Sequence, residues 1–313
     1  MDKKAKIFVS GHTGMVGTAM VRLLRKKGYR NLILRRSREL DLCNQIKVSR
    51  FMRKEKPEYV FLFAARVGGI QANISHPAEF LYDNLMIESN IIESSRQVKI
   101  KKLLYLGSSC AYPRECSQPM KEEYLLAGKP EPTNEGYALA KIIGLKMCEY
   151  YNQQYGTNFI CLVPPNLYGP GDNFDPAVSH VIPSLIRKFI EAKKSNLSYV
   201  KVWGTGLSRR EFLYNEDVAQ ACLYFMNVYD AKDLPRFVNI GYGKDLRIKE
   251  LAEIIRKKTG YKGKILWDKE TPAGMARKLL DSSKARKLLW KPKVSLEEGL
   301  SKTILWYIKK CSI

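Results

Sequence analysis

Metal-binding and cross-linking residues are scarce in this chain. Its 313 residues include three histidines, His12, His76 and His180, and seven cysteines, at positions 43, 110, 116, 148, 161, 222 and 311. The cysteines are odd in number, scattered and never spaced Cys-x-x-Cys, so neither a disulfide framework nor a structural zinc site is expected. Long apolar runs are missing too. Tyr59 to Ala65 is the longest compact one, the length of a buried strand and far short of the ~20 residues that cross a bilayer. Ile7 to Ser10 separate the first lysines from Gly11, too few residues for the apolar part of a secretory signal, so the expected location is cytoplasmic.

Acid is short relative to base. Asp and Glu number 31 against 54 Lys and Arg, a formal charge of +23. Such a field attracts phosphates and other polyanions. The basic residues lie in separate clusters instead of one stripe interleaved with aromatics, which reads as a solvated surface. No nucleic acid and no membrane partner is expected, and a polyanionic small substrate suits the charge.

Hydrophobic residues at 45% and charged ones at 27% give a chain that folds around a sizeable core. Apolar runs at residues 6–10, 31–34, 59–65, 102–108 and 158–163 alternate with helical periodicity at 15–27, 46–54, 84–97 and 136–155. Continuously apolar strands between helices imply a parallel sheet covered on both faces: an α/β fold, a doubly wound parallel sheet of the Rossmann type. From about residue 165 prolines and glycines cluster and the rhythm loosens. The expected division is a cofactor-binding domain at 1–165 and a smaller C-terminal α/β substrate domain at 166–313. Residues 211–228 and 236–240 read as a helix and a strand returning to the first sheet.

Gly11-His12-Thr13-Gly14-Met15-Val16-Gly17 joins the first strand to the first helix, the context in which a glycine turn cradles a dinucleotide pyrophosphate at a helix N-terminus. Where NAD binders place an acid after the second strand, this chain has Leu34-Arg35-Arg36-Ser37-Arg38. Guanidinium groups and a hydroxyl suit a 2′-phosphate, so the expected cofactor is NADP(H). Asp41 is a candidate for the adenine end.

Tyr137 and Lys141 are spaced i, i+4 on an expected helix, and Ser108 follows the fourth strand. Two hydroxyls converging there would polarise a carbonyl oxygen, and a nearby ammonium would lower the tyrosine pKa toward the working range. Lys141 is also placed to hold the nicotinamide ribose. This is carbonyl-reduction chemistry.

An ordered set of segments then carries a resemblance over nearly the whole chain. They are residues 10–17, Arg66-Val67-Gly68-Gly69-Ile70, 84–90, Gly107-Ser108-Ser109-Cys110-Ala111-Tyr112-Pro113, Tyr137-Ala138-Leu139-Ala140-Lys141, 166–170 and Ser179-His180-Val181-Ile182-Pro183. The chain resembles the extended short-chain dehydrogenase/reductase family, and within it the enzymes that epimerise and reduce GDP-4-keto-6-deoxy-mannose. The resemblance implies Ser108, Tyr137 and Lys141 as the reductase triad, and Cys110 with His180 as the acid/base pair of epimerisation. It also implies a cofactor site extending to Leu42, Leu106, Gly107, Ser109, Pro164, Asn166, Leu167 and His180. Lys188, Trp203, Arg210 and Lys278 are implied as contacts to a nucleotide-sugar substrate, and the assembly as a homodimer. Departures from the family's pattern are Lys188 in place of arginine, Ala273 in place of an acid, and Thr13 and Ser37 where arginines can bind the 2′-phosphate. An enzyme for another nucleotide sugar, such as a GDP-6-deoxy-heptose, stays open, as does a nucleic-acid binder built on a dehydrogenase fold.

Overall fold

Strands with no exposed residue need helices on both sides, and β1 (Ile7–Ser10) is buried along its whole length. It leads through the glycine turn into α1 (Met15–Lys26), and the alternation continues with β2 (Leu32–Ile33), α2 (Gln45–Glu55), β3 (Tyr59–Leu62), α3 (Ile70–Ser75), α4 (Pro77–Gln97), β4 (Lys102–Leu106), α5 (Glu135–Tyr155) and β5 (Phe159–Val163). After β5 come β6 (Asn166–Tyr168), α6 (Val181–Lys194), β7 (Tyr199–Trp203), β8 (Arg209–Tyr214), α7 (Asn215–Val228), β9 (Val238–Asn239), β10 (Asp245–Arg247), α8 (Ile248–Thr259), β11 (Lys264–Asp268), β12 (Arg277–Lys278), α9 (Ser283–Lys287) and α10 (Leu296–Lys310). The computed structural model describes residues 1–271 and 274–311; Ala273, one of the departures noted above, lies outside the described residues.

The main sheet has six strands in the order β2-β1-β3-β4-β5-β9, every pair parallel. The order reverses between β1 and β3, and their carboxyl ends open the crevice where doubly wound folds bind ligands. One face of the sheet packs Met20 and Leu24 of α1 with Val218 and Phe225 of α7. The other packs Val48 and Met52 of α2 with Ile91 and Ile92 of α4 and Leu145 of α5. A third apolar cluster joins α6, α8 and α10 through Leu185, Phe189, Leu251, Ile255 and Ile304. There β8 is the hub, paired with β6, β10 and β12, while β7 and β11 form a separate parallel pair.

Several strands are shorter than expected, β3 and β4 ending at Leu62 and Leu106, and two helix starts differ most from the sequence reading. The helix expected from Asn84 starts seven positions earlier at Pro77, since a proline at the first helical position costs no hydrogen bond. The helix expected over 211–228 begins only at Asn215, because Arg209–Tyr214 is extended and pairs with three other strands. Tertiary pairing overrides the helical spacing there.

Candidate active site

A cavity of about 1520 Å³ runs from the carboxyl ends of β1, β3, β4 and β5 to the lobe built around β8. The five expected catalytic residues, Ser108, Cys110, Tyr137, Lys141 and His180, all line it, as do Lys188, Trp203, Arg210 and Lys278. So do Gly11, Thr13, Gly14, Met15, Val16, Gly17, Ser37, Asp41, Leu42, Leu106, Gly107, Ser109, Pro164, Asn166 and Leu167. His12, Arg36 and Arg38 are not in its wall, whereas Arg35 is.

The glycine turn is built by close backbone approach. Gly11 has a φ of +75°, and a Cβ there would stand 2.7 Å from the Ala64 nitrogen. A Cβ on Gly17 would collide with the Gly11 carbonyl oxygen, so α1 can press against the turn only with glycine at that position. Gly14 caps α1 with no side chain, and the first turn carries no acid. Its free N–H groups and positive dipole end are left for an anion. His12 lies behind the turn, where its carbonyl accepts a hydrogen bond from Thr18 Oγ1. Burial, and then Arg36, hold its imidazole toward the neutral form. At the end of β2, Arg35 is paired with Glu55 at 2.8 Å while still lining the cavity beside Ser37. The glycine cradle, the uncapped helix and the basic β2 end fit a dinucleotide carrying a 2′-phosphate.

Past β4, Tyr137 hydrogen-bonds Ser108, whose Oγ accepts from the Cys110 N–H at 3.2 Å. Burial pushes the Tyr137 phenol up, and Cys110 and Glu88 push it further, against a smaller lowering by Ser108. It stays protonated. The sequence-based expectation that Lys141 lowers the tyrosine is therefore corrected, and the cause is a residue the sequence reading passed over. Lys141 Nζ sits 2.9 Å from Glu88 Oε1, both side chains at most 4% exposed, and donates to the Leu106 carbonyl at 3.2 Å. Burial raises the Glu88 carboxyl, opposed by the Lys141 ammonium and by hydrogen bonds from Lys141 and Tyr105, and the ion pair offsets the ammonium 5.8 Å from the Tyr137 ring centre. Gly144 makes the space: a Cβ there would stand 2.6 Å from Glu88 Oε2 and collide with the Tyr105 hydroxyl.

Around Cys110 the donors differ. Its Sγ accepts from Lys278 Nζ and from Asn134 Nδ2, each at 3.2 Å. Burial raises the thiol pKa, but Lys278 and the hydrogen bonds from Ser108, Lys278 and Asn134 outweigh it, and the net shift is downward. His180 stands just before α6 in a loop braced by the Gly69 N–H, which donates to the Val178 carbonyl at 2.9 Å. Its ring is exposed to the cavity; desolvation by the surrounding walls, and then Lys278, pull the imidazole toward the neutral form. Toward the far end, Arg210 is half-buried on β8, and Lys188 on α6 donates to the Lys201 carbonyl at 3.0 Å. Trp203, half exposed, offers an aromatic face at the end of β7.

Sequence reasoning missed Glu88 and Asn134. Glu88 carried a signal, an acid spaced between Asn84 and Ile91 on the apolar face of a helix. Asn134 lies at the N-cap of α5 in Pro132-Thr133-Asn134-Glu135, a helix-start pattern that says nothing of a thiol.

The model of the NAD dependent epimerase/dehydratase family matches residues 7–241. GDP-L-fucose synthase 1 of Arabidopsis thaliana is 51% identical to this chain, covering 98% of it and 94% of the relative. GDP-L-fucose synthase of Escherichia coli K12 is 46% identical, covering 98% and 97%. A GDP-mannoheptose C4 reductase from Campylobacter jejuni, solved with NADP bound, superposes with a TM-score of 0.91 at 42% identity, covering 98% of this chain and 99% of that one. The chain belongs to the NAD dependent epimerase/dehydratase family.

Proposed function

We infer that the chain is an NADP-dependent epimerase and reductase converting GDP-4-keto-6-deoxy-D-mannose to GDP-L-fucose. One observation carries the reading: Ser108 and Tyr137, a carbonyl-polarising pair, share a cavity wall with Cys110 and His180, two further proton-transfer groups that reduction alone does not need. Likeness to the fucose synthases over nearly the full chain supports the substrate.

A ketone at carbon 4 acidifies the hydrogens on carbons 3 and 5. A base of the Cys110–His180 pair removes one as a proton, its electrons moving to the carbon 4 oxygen, and an acid returns a proton to the opposite face. Ser108 and Tyr137 hydrogen-bond that oxygen as its charge develops, so the same donors serve both steps. Bound NADPH supplies the hydride for carbon 4. Tyr137, held protonated, supplies the proton to the oxygen, and Lys141 holds the ribose. The turn at Gly11–Gly17, with Arg35 and Ser37, would hold the cofactor; Arg210 and Lys188 would take the diphosphate and Trp203 the base or sugar. The same reading takes residues 1–165 with 215–240, the part of the expected 211–240 return that lies outside β8, as the cofactor unit and most of 166–313 as the substrate unit. It also takes the exposed stripe Leu139, Ile143 and Tyr150 on α5, beside Tyr82 on α4, as a homodimer face.

The test is NADPH oxidation with GDP-4-keto-6-deoxy-D-mannose, followed by NMR of the product. An L-galacto product is expected; a D-configured or unreacted sugar contradicts the assignment. A second reading, reduction of a GDP-heptose, is favoured by the Campylobacter jejuni structure, and the same assay with a 4-keto-heptose substrate distinguishes it.

A further inference from the structure

Lys278 is 7% exposed, and no carboxylate lies within ion-pair distance of it among the described residues. An ammonium that deep is costly unless an anion accompanies it. Its hydrogen bond goes to Cys110 Sγ at 3.2 Å, and Asn134 Nδ2 points at the same sulfur from the start of α5. The other groups facing Cys110 are the Ser108 and Tyr137 hydroxyls on one side and the Arg210 guanidinium on β8. Arg210 is the charged group among these, a cation, while Glu131 reaches Arg210 from the turn before α5 and lines the same cavity. His180 also lies within the electrostatic reach of Lys278, and the same ammonium disfavours its protonated form.

Building on the epimerase-reductase reading above, we propose that Lys278 is a positioning residue that holds Cys110 as a thiolate in the substrate-free enzyme, with Asn134 as the second donor. The buried ammonium and the thiolate form an ion pair across the cavity wall, joining β12 to the segment after β4. The consequence for the chemistry is a defined starting state. The Cys110 thiolate accepts the proton from the sugar carbon, the bonding electrons move to the carbon 4 oxygen, and a neutral thiol remains beside Lys278. Lys278 itself touches no reacting carbon and acts through the sulfur.

The test needs no sugar. The full-length protein is treated with iodoacetamide from about pH 6 to about pH 10, and alkylation of the Cys110 peptide is followed by mass spectrometry, since only the thiolate reacts. Wild-type Cys110 is expected to react well below the pH range of an ordinary cysteine. Lys278→Met is expected to react about tenfold more slowly at pH 7 and to converge with wild type at the alkaline end, an opposite charge at this distance being worth at least a factor of ten. Lys278→Arg restores the charge and the wild-type profile. A wild-type profile following that of free cysteine overturns the proposal, as does an unchanged profile in Lys278→Met; the first of these holds even if the variant does not fold. Because the readout is alkylation, a shifted profile without any turnover of the GDP-sugar would remove the functional reading and leave the thiolate assignment standing.

Discussion

Two buried lysines serve one pocket and are put to opposite uses. Lys141 faces the Glu88 carboxylate at 2.9 Å, and its charge is spent there. Lys278 faces the Cys110 sulfur at 3.2 Å, with no carboxylate in reach among the described residues. Beside the neutralised ammonium, Tyr137 remains a protonated acid; beside the uncompensated one, the thiol is drawn toward its ionised form. What decides the chemistry of each nucleophile or acid is thus the second partner of the neighbouring lysine, more than the lysine itself.

The largest break in this arrangement is Tyr137→Phe, which removes the proton donor and half of the carbonyl-polarising pair. NADPH oxidation is expected to fall about a thousandfold with the fold intact by circular dichroism. Glu88→Gln makes the two lysines alike. It leaves Lys141 buried without its carboxylate, an expected loss of about 3 kcal/mol in denaturant unfolding. The freed ammonium also stabilises the Tyr137 phenolate, so the alkaline limb of the reduction profile moves to lower pH; an unmoved limb would show that Glu88 does not shield Tyr137.

Glu211 provides a control, a buried carboxylate held by the backbone N–H groups of Gly243 and Leu280 in place of a close ammonium. Burial raises it to about 7. A carboxyl whose folded pKa lies above its unfolded one stabilises the fold below about pH 4.5, and that contribution is lost as pH rises through about 7. Urea titrations should therefore show a decline on the order of 2–3 kcal/mol over that window which Glu211→Gln flattens. The smallest effect concerns the cofactor end. Ser37→Asp places a carboxylate where a 2′-phosphate would sit, and the NADPH over NADH preference in kcat/KM should drop about tenfold.

The cofactor half was the legible half. Gly11 and Gly17 are read from sequence because no other residue fits the turn, and Tyr137 and Lys141 because helix geometry alone puts i and i+4 on one face. The Lys278–Cys110 contact spans 168 positions and exists only because β12 lies parallel beside β8, a pairing that no local periodicity announces. Glu88 left a trace as an acid on an apolar helix face, but its partner depended on how α4 packs against α5. The helix expected over 211–228 fails only in its first four residues for the same reason, since they belong to a strand held by three neighbouring strands.

One pocket carries both the exchange of protons on carbons 3 and 5 and the reduction of carbon 4, a double role open to direct test. Its most direct test is NMR of GDP-4-keto-6-deoxy-D-mannose incubated with the enzyme and NADP⁺ in deuterated water, where reduction cannot proceed. Deuterium appearing at both carbons in wild type, and lost in Cys110→Ala, is the expected result. Full NADPH oxidation in a parallel sample with no deuterium at either carbon would contradict it, leaving a simple 4-keto reductase.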